Sequence, residues 1–226
     1  QHCRQLKLPH PILTNDDVDR LRDVRRDDFK VATLDALFEA GFRMMSMTHF
    51  FATFAGGSAS GEAKTGLSAA GLAVLRRMEA RGMIVDLAHA SPALVDDILT
   101  AATRPVVVSH TGVTATCANN RNLTDAQVRR IAVNGGLVGI GYFEAAVCEI
   151  SAASIARAIR HTASVAGIAH VALGSDFDGA TVTPFDASGL VLITEALLAE
   201  GFSEQEIRQI MGGNAVSLLR RLLPPS

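Results

Sequence analysis

No apolar run in the chain approaches the roughly 20 residues that span a bilayer, which predicts no membrane partner. The first residues, Gln1-His-Cys-Arg-Gln-Leu-Lys7, lack the apolar h-region of a signal peptide. A basic surplus is also missing. The 21 Lys and Arg face 23 Asp and Glu, for a net charge of −2, which argues against a nucleic-acid or anionic-lipid partner. Cysteine is sparse: Cys3, Cys117 and Cys148 are widely spaced, odd in number and without a Cys-x-x-Cys pair. This predicts free buried thiols at Cys117 and Cys148 and a reducing, cytoplasmic setting. Finally, no Gly-rich phosphate loop follows a first strand, so the main signature of a dinucleotide-binding sheet is absent.

What is present is a globular balance in 226 residues, 48% hydrophobic and 19% charged, enough for one sizeable core. Residues 1–30 stand apart. Asp16, Asp17, Asp19, Asp23, Asp27 and Asp28 alternate there with Arg20, Arg22, Arg25 and Arg26, which predicts a polar arm. Residues 31–226 read as one domain. Short, continuously apolar runs are predicted as strands over 43–49, 83–89, 105–110, 136–143 and 170–175. Between them lie helical patterns with capping signals at Ser68, Ser91-Pro92, Thr124 and Ser203-x-x-Glu206. Strands that are apolar on every residue suit a parallel sheet covered on both faces. The glycines of 136–143 imply close backbone approach. Residues 51–66, rich in Gly and Ser, predict an active-site loop or lid.

The polar chemistry collects at strand ends. Three apolar runs finish on histidine, at His49, His89 and His110, and a fourth finishes on Gly-Ser-Asp176-Phe-Asp178-Gly. That layout is α/β and of the (β/α) TIM-barrel type, with the site at the C-terminal face of the strands. Only about five βα units are recognisable against the eight of a closed barrel, so the barrel is predicted to be incomplete. An open sheet edge also predicts a homo-oligomer. Adjacent strands lie ~4.8 Å apart, which lets His89 and His110 meet at one ion, and neutral imidazole is a favoured zinc ligand. His2, His10, His161 and His170 lack this placement and read as structural.

Five motifs in order carry a family resemblance. They are Asp-Leu-Ala-His-Ala-Ser (86–91), Val-Ser-His-Thr-Gly (108–112), Asn-Arg-Asn-Leu-Thr-Asp (120–125), Gly-Ser-Asp-Phe-Asp-Gly (174–179) and Gly-Gly-Asn (212–214). Together they resemble the membrane dipeptidase (renal dipeptidase) family over about residues 31–223. The resemblance implies a metal-dependent hydrolase barrel with two zinc ions, in which metal-bound hydroxide cleaves the peptide bond of a dipeptide. Carried over by motif, His89 and His110 resemble the histidine ligands of one zinc. His49 resembles the histidine that contacts the substrate, Arg121 the arginine that pairs with the substrate carboxylate, and Asp176 the acid/base carboxylate. Asp178 reads as a turn cap.

The sequence departs from the family on the other side of the metals. The family's His-x-Asp pair has no counterpart, since His2-Cys3-Arg4 does not match it. The place expected for the metal-bridging Glu falls near Arg22 or Asp23, and Glu39 is the first glutamate. One zinc or none is therefore expected in this chain alone. The alternative to a zinc dipeptidase is a truncated or degenerate homologue that binds without catalysis. A third reading, an amidohydrolase acting on a cyclic amide or a small ring, is disfavoured by Arg121, which suits a free carboxylate.

Overall fold

The structure is a computed structural model that describes residues 31–62 and 64–223. The predicted polar arm, with His2, His10, Cys3 and the positions expected for the first metal ligands, lies outside the described residues.

Five strands form one parallel sheet: β1 (Met44–Ser46), β2 (Ile84–Asp86), β3 (Val107–Thr111), β4 (Leu137–Ile140) and β5 (Val171–Leu173). Their spatial order is β1-β2-β3-β4-β5, the same as their order in the chain. A doubly wound sheet reverses direction at a switch point. This sheet winds one way throughout, as a (β/α) barrel does, and it is the incomplete barrel-type fold that the strand count predicts. The strands are shorter than the apolar runs, because the residues after each strand leave the ladder to build the rim.

Ahead of β1 runs α1 (Val31–Glu39), and between the strands run α2 (Ala69–Arg81), α3 (Pro92–Ala101), α4 (Asp125–Val133), the single turn α5 (Glu144–Val147) and α6 (Ala152–Ala166). After β5 come α7 (Leu190–Ala199), α8 (Glu204–Arg208) and α9 (Asn214–Leu222). The caps lie where their chemistry predicts. Ser68 accepts from Gly71 N–H at the start of α2, and Gly82 closes that helix with φ 74°. Ser91 caps α3 ahead of Pro92, and both Thr124–Gln127 and Ser203–Glu206 form capping boxes.

Side chains alternate across the sheet with period two. Val85, Val106, Val108, Val138, Ile140 and Val171 join the main core, with Leu75, Met78, Leu94, Ile98, Ile131, Ile155 and Ile159 of the helices. Ile84, Val107, Leu137 and Ala172 point the other way and meet Leu218, Ala215 and Leu222 of α9. Both faces are therefore apolar, which is why the strand sequences do not alternate. Close backbone approach also holds at Gly139, where a Cβ would stand 2.3 Å from Ser109 O.

The loop of residues 51–66 is tied down, in contrast to the lid expectation. Ser91 N–H donates to Gly57 O at 2.9 Å, Ala59 N–H donates to His89 O at 2.7 Å, and Ala55 to Ala59 are buried. The loop braces the turn after β2. The free-thiol expectation also fails: Cys117 and Cys148 form a disulfide across 31 residues, with Cα atoms 5.4 Å apart. The fold brings the loops after β3 and β4 together, a contact that cysteine spacing does not reveal. The reducing-compartment expectation loses its support with that bond, since disulfides persist mainly in oxidising surroundings. Among the described residues, no helix is long and apolar enough to cross a membrane.

Candidate active site

Four of the five predicted site residues and Asp178 line one cavity of about 280 Å³ at the C-terminal rim, with Phe50, Ser60, Phe143 and Thr181. The four are His49, His89, Arg121 and Asp176. His110, the fifth, does not line the cavity, but its ring meets that of His89, which does. Irregular backbone aims each key side chain.

His110 lies in a bulge of β3. From Val108 to Thr111 this strand spends three residues while β4 spends two, from Val138 to Ile140. The extra residue turns the imidazole toward the rim. His89 is the third residue of a turn closed by Ala90 N–H to Leu87 O at 3.1 Å, and its φ is 65°. Asp176 follows β5 with φ 61°. His89, Cys148 and Asp176 are the non-glycine residues with positive φ among the described residues. Two of the three face this cavity, which matches the tendency of strained backbone to gather at functional sites.

The two imidazoles meet head to head, with Nε2 of His89 2.9 Å from Nε2 of His110. Ser109 Oγ lies 2.9 Å from Nδ1 of His110. With the serine hydroxyl donating there, His110 carries its proton on Nε2 and donates to His89. Nδ1 of His89 is buried without a partner. Burial lowers the pKa of both rings, with the Arg121 guanidinium adding to it. His89 is pushed down to about 3, and Asp176 partly opposes the shift at His110. Both rings are therefore neutral at pH 7, the form in which imidazole binds a metal. Asp176 Oδ2 stands 3.7 Å from His110 Nε2.

Two neutral nitrogens converge as ligands of one ion would, whereas zinc takes four ligands. Among the described residues, no group of three or more His, Cys, Asp or Glu is placed to hold a metal ion. The histidine pair fits as half of a metal centre.

Arg121 is held rather than free. Its Nη2 donates to His110 O at 2.9 Å, and its guanidinium sits 5.7 Å from the Phe143 ring. Burial pushes its pKa down, and Asp176 and Asp86 pull it back. A guanidinium keeps its charge in such surroundings. The loop beneath it is stitched by amides. Asn119 Oδ1 accepts from Arg121 N–H at 2.8 Å, Asn122 Oδ1 accepts from Gly112 N–H at 2.9 Å, and Asn122 Nδ2 donates to Cys117 O and Ala146 O. The disulfide fastens the same two loops.

His49 is exposed, with its ring centroid 4.3 Å from that of His89. Asp178 Oδ1 accepts from Ala180 N–H at 2.7 Å, a local turn cap, while the residue still borders the cavity. His161 and His170 lie elsewhere, paired with Asp125 at 2.7 Å and Gly136 O at 2.8 Å. Motif reading missed three contributors. Phe143 forms a wall of the cavity. Tyr142, fully buried, packs its ring 5.6 Å from Phe177 and braces the Asp176 loop. Asp86, three residues before His89, carries the one signal that was legible, a carboxylate at a strand end.

Comparison with known proteins identifies the family. Residues 27–222 match the family described as Membrane dipeptidase (Peptidase family M19). An uncharacterised protein of Klebsiella pneumoniae is 31% identical over 204 residues, covering 84% of this chain and 75% of that protein. Dipeptidase aclJ of Aspergillus oryzae is 35% identical over 191 residues, covering 80% of this chain and 45% of its own. Among solved structures, a metallopeptidase from Rhodobacter sphaeroides, liganded with a phosphinate mimic of L-Ala-D-Ala, superposes with TM-score 0.76 at 26% identity. It covers 87% of this chain, which spans 61% of it. The motifs, the one-way sheet and the 27–222 match together establish that the chain belongs to the membrane dipeptidase family, M19.

Proposed function

We propose that the described residues form one half of a dipeptidase site, which binds a dipeptide-like ligand without completing catalysis on its own. The observation that carries this reading is the histidine pair with no third metal ligand among the described residues. In this reading Arg121 holds the ligand's carboxylate through its free N–H groups. Asp176, 3.7 Å from His110, stands where a proton is delivered to a leaving amine. His49, exposed beside His89, faces the carbonyl oxygen. Zinc, where bound, supplies carbonyl polarisation and a nucleophilic hydroxide at neutral pH.

A second reading is metal-dependent hydrolysis of dipeptides by this chain itself once zinc is supplied. It is supported by the positive φ at both His89 and Asp176 and by the named dipeptidase relatives. One assay separates the two. The 226-residue chain and its Asp176→Asn variant are given L-Ala-D-Ala with excess zinc, and free alanine is measured. The binding reading expects no difference in turnover between them. Hydrolysis by the parent chain that the variant lacks establishes the second reading.

A further inference from the structure

The single paired position between β2 and β3 is Asp86 with Val107, and its rung is Leu87 N–H to Val107 O at 2.8 Å. In a parallel ladder the next rung runs from Ser109 N–H to Leu87 O. That rung is not made. Leu87 O instead accepts from Ala90 N–H and closes the turn that carries His89. The Ser109 amide turns to a side chain, donating to Asp86 Oδ1 at 2.9 Å. The same oxygen accepts from Ala88 N–H at 3.0 Å, an Asx-type turn at the start of the His89 segment.

We infer that Asp86 is a positioning residue, a carboxylate rung that replaces a lost ladder acceptor and so fixes His89 and His110 face to face. One oxygen controls both lines of support. Through Ala88 it sets the turn that gives His89 its left-handed backbone. Through Ser109 it fixes the residue whose hydroxyl holds Nδ1 of His110 at 2.9 Å. Asp86 is 8% exposed, so solvent is a poor substitute for the acceptor it provides. The role lies in the acceptor oxygen and not in the charge. An asparagine amide oxygen can accept from both N–H groups, and alanine offers neither bond.

The test is made on the metal-free chain, by nitrogen-15 NMR of the histidine side chains and by amide exchange at Ser109. The parent and Asp86→Asn are expected to show the hydrogen-bonded imidazole N–H between His89 and His110 and a protected Ser109 amide. Asp86→Ala is expected to lose both. A second readout rests on the His pair acting as metal ligands: cobalt(II) titration followed by visible absorption. Asp86→Ala is expected to bind about tenfold or more weakly, as outer supports of metal ligands do, and Asp86→Asn to bind like the parent. Loss of the imidazole signal in Asp86→Asn overturns the rung, as does its survival in Asp86→Ala. Should Asp86→Ala not fold, fast exchange of the Ser109 amide in the folded parent or in Asp86→Asn overturns it. Absence of cobalt binding in the parent, with the NMR pattern intact, sinks the metal half-site and leaves the rung standing.

Discussion

Nε2 of His89 faces Nε2 of His110 at 2.9 Å, and burial depresses the basicity of both rings. A proton on either ring must sit beside the other and within reach of the Arg121 field. The pair therefore makes the native state resist protonation.

Acid stability follows with a definite sign. His89 titrates at about 3 in the fold against 6.5 unperturbed. Between those values the unfolded chain binds more protons than the folded one, so stability rises with pH across that window and levels off above it. Asparagine tolerates the positive φ at position 89. His89→Asn is expected to show a shallower fall in urea midpoint between pH 7.5 and 4.5, followed by circular dichroism. An equally steep fall in parent and variant refutes the assignment.

The disulfide supports the Arg121 loop. It closes a loop of 31 residues, and a cross-link of that length stabilises by about 3–4 kcal/mol on the chain-entropy estimate. Cys148 itself has φ 62° and ψ −57°, and Glu149 N–H reaches back to Val147 O at 2.7 Å, a positive-φ γ-turn. Reduction is expected to lower the urea midpoint and to weaken binding of a carboxylate ligand at Arg121. Cys148→Gly is expected to keep more stability than Cys148→Ala, because glycine relieves the backbone. Equal loss in the two variants counts against strain at this residue.

Tyr142 is fully buried with its hydroxyl unpartnered, and burial raises the pKa of its phenol. An unmade hydrogen bond costs about 1–3 kcal/mol. Tyr142→Phe keeps the ring against Phe177 and Phe185, at 5.6 and 5.7 Å, and removes only the stranded oxygen. It is expected to raise the thermal midpoint or leave it unchanged. A clear drop reveals a partner for the hydroxyl.

Much of the fold is legible because parallel strands and capped helices leave local signals. Continuous apolar runs marked the strands, and Ser91-Pro92 and Thr124 marked helix starts to within a residue. The winding direction was legible only by the absence of a phosphate loop, and the strand order makes it definite: each strand neighbours the next in sequence. The strand-end histidines and Asp176 reach one cavity because the C-terminal ends of parallel strands share a rim. Other features depend on three-dimensional approach. Cys117 and Cys148 gave no pairing signal, because their meeting depends on how two rim loops fold together. The loop of 51–66 read as an active-site loop or lid by composition, yet its glycines allow close seating: a Cβ at Gly56 would meet Leu94 at 2.6 Å. Asp86 was legible as a strand-end carboxylate, but its role was not, because its side chain accepts from a backbone amide of the next strand.

The half-site itself is tested most directly by zinc stoichiometry. The 226-residue chain is brought to equilibrium with zinc by dialysis, beside His89→Ala, His110→Ala and the double variant. One zinc per chain at most is expected, lost when either histidine is removed. Two tightly held zinc ions, or one that survives the double substitution, contradicts the half-site.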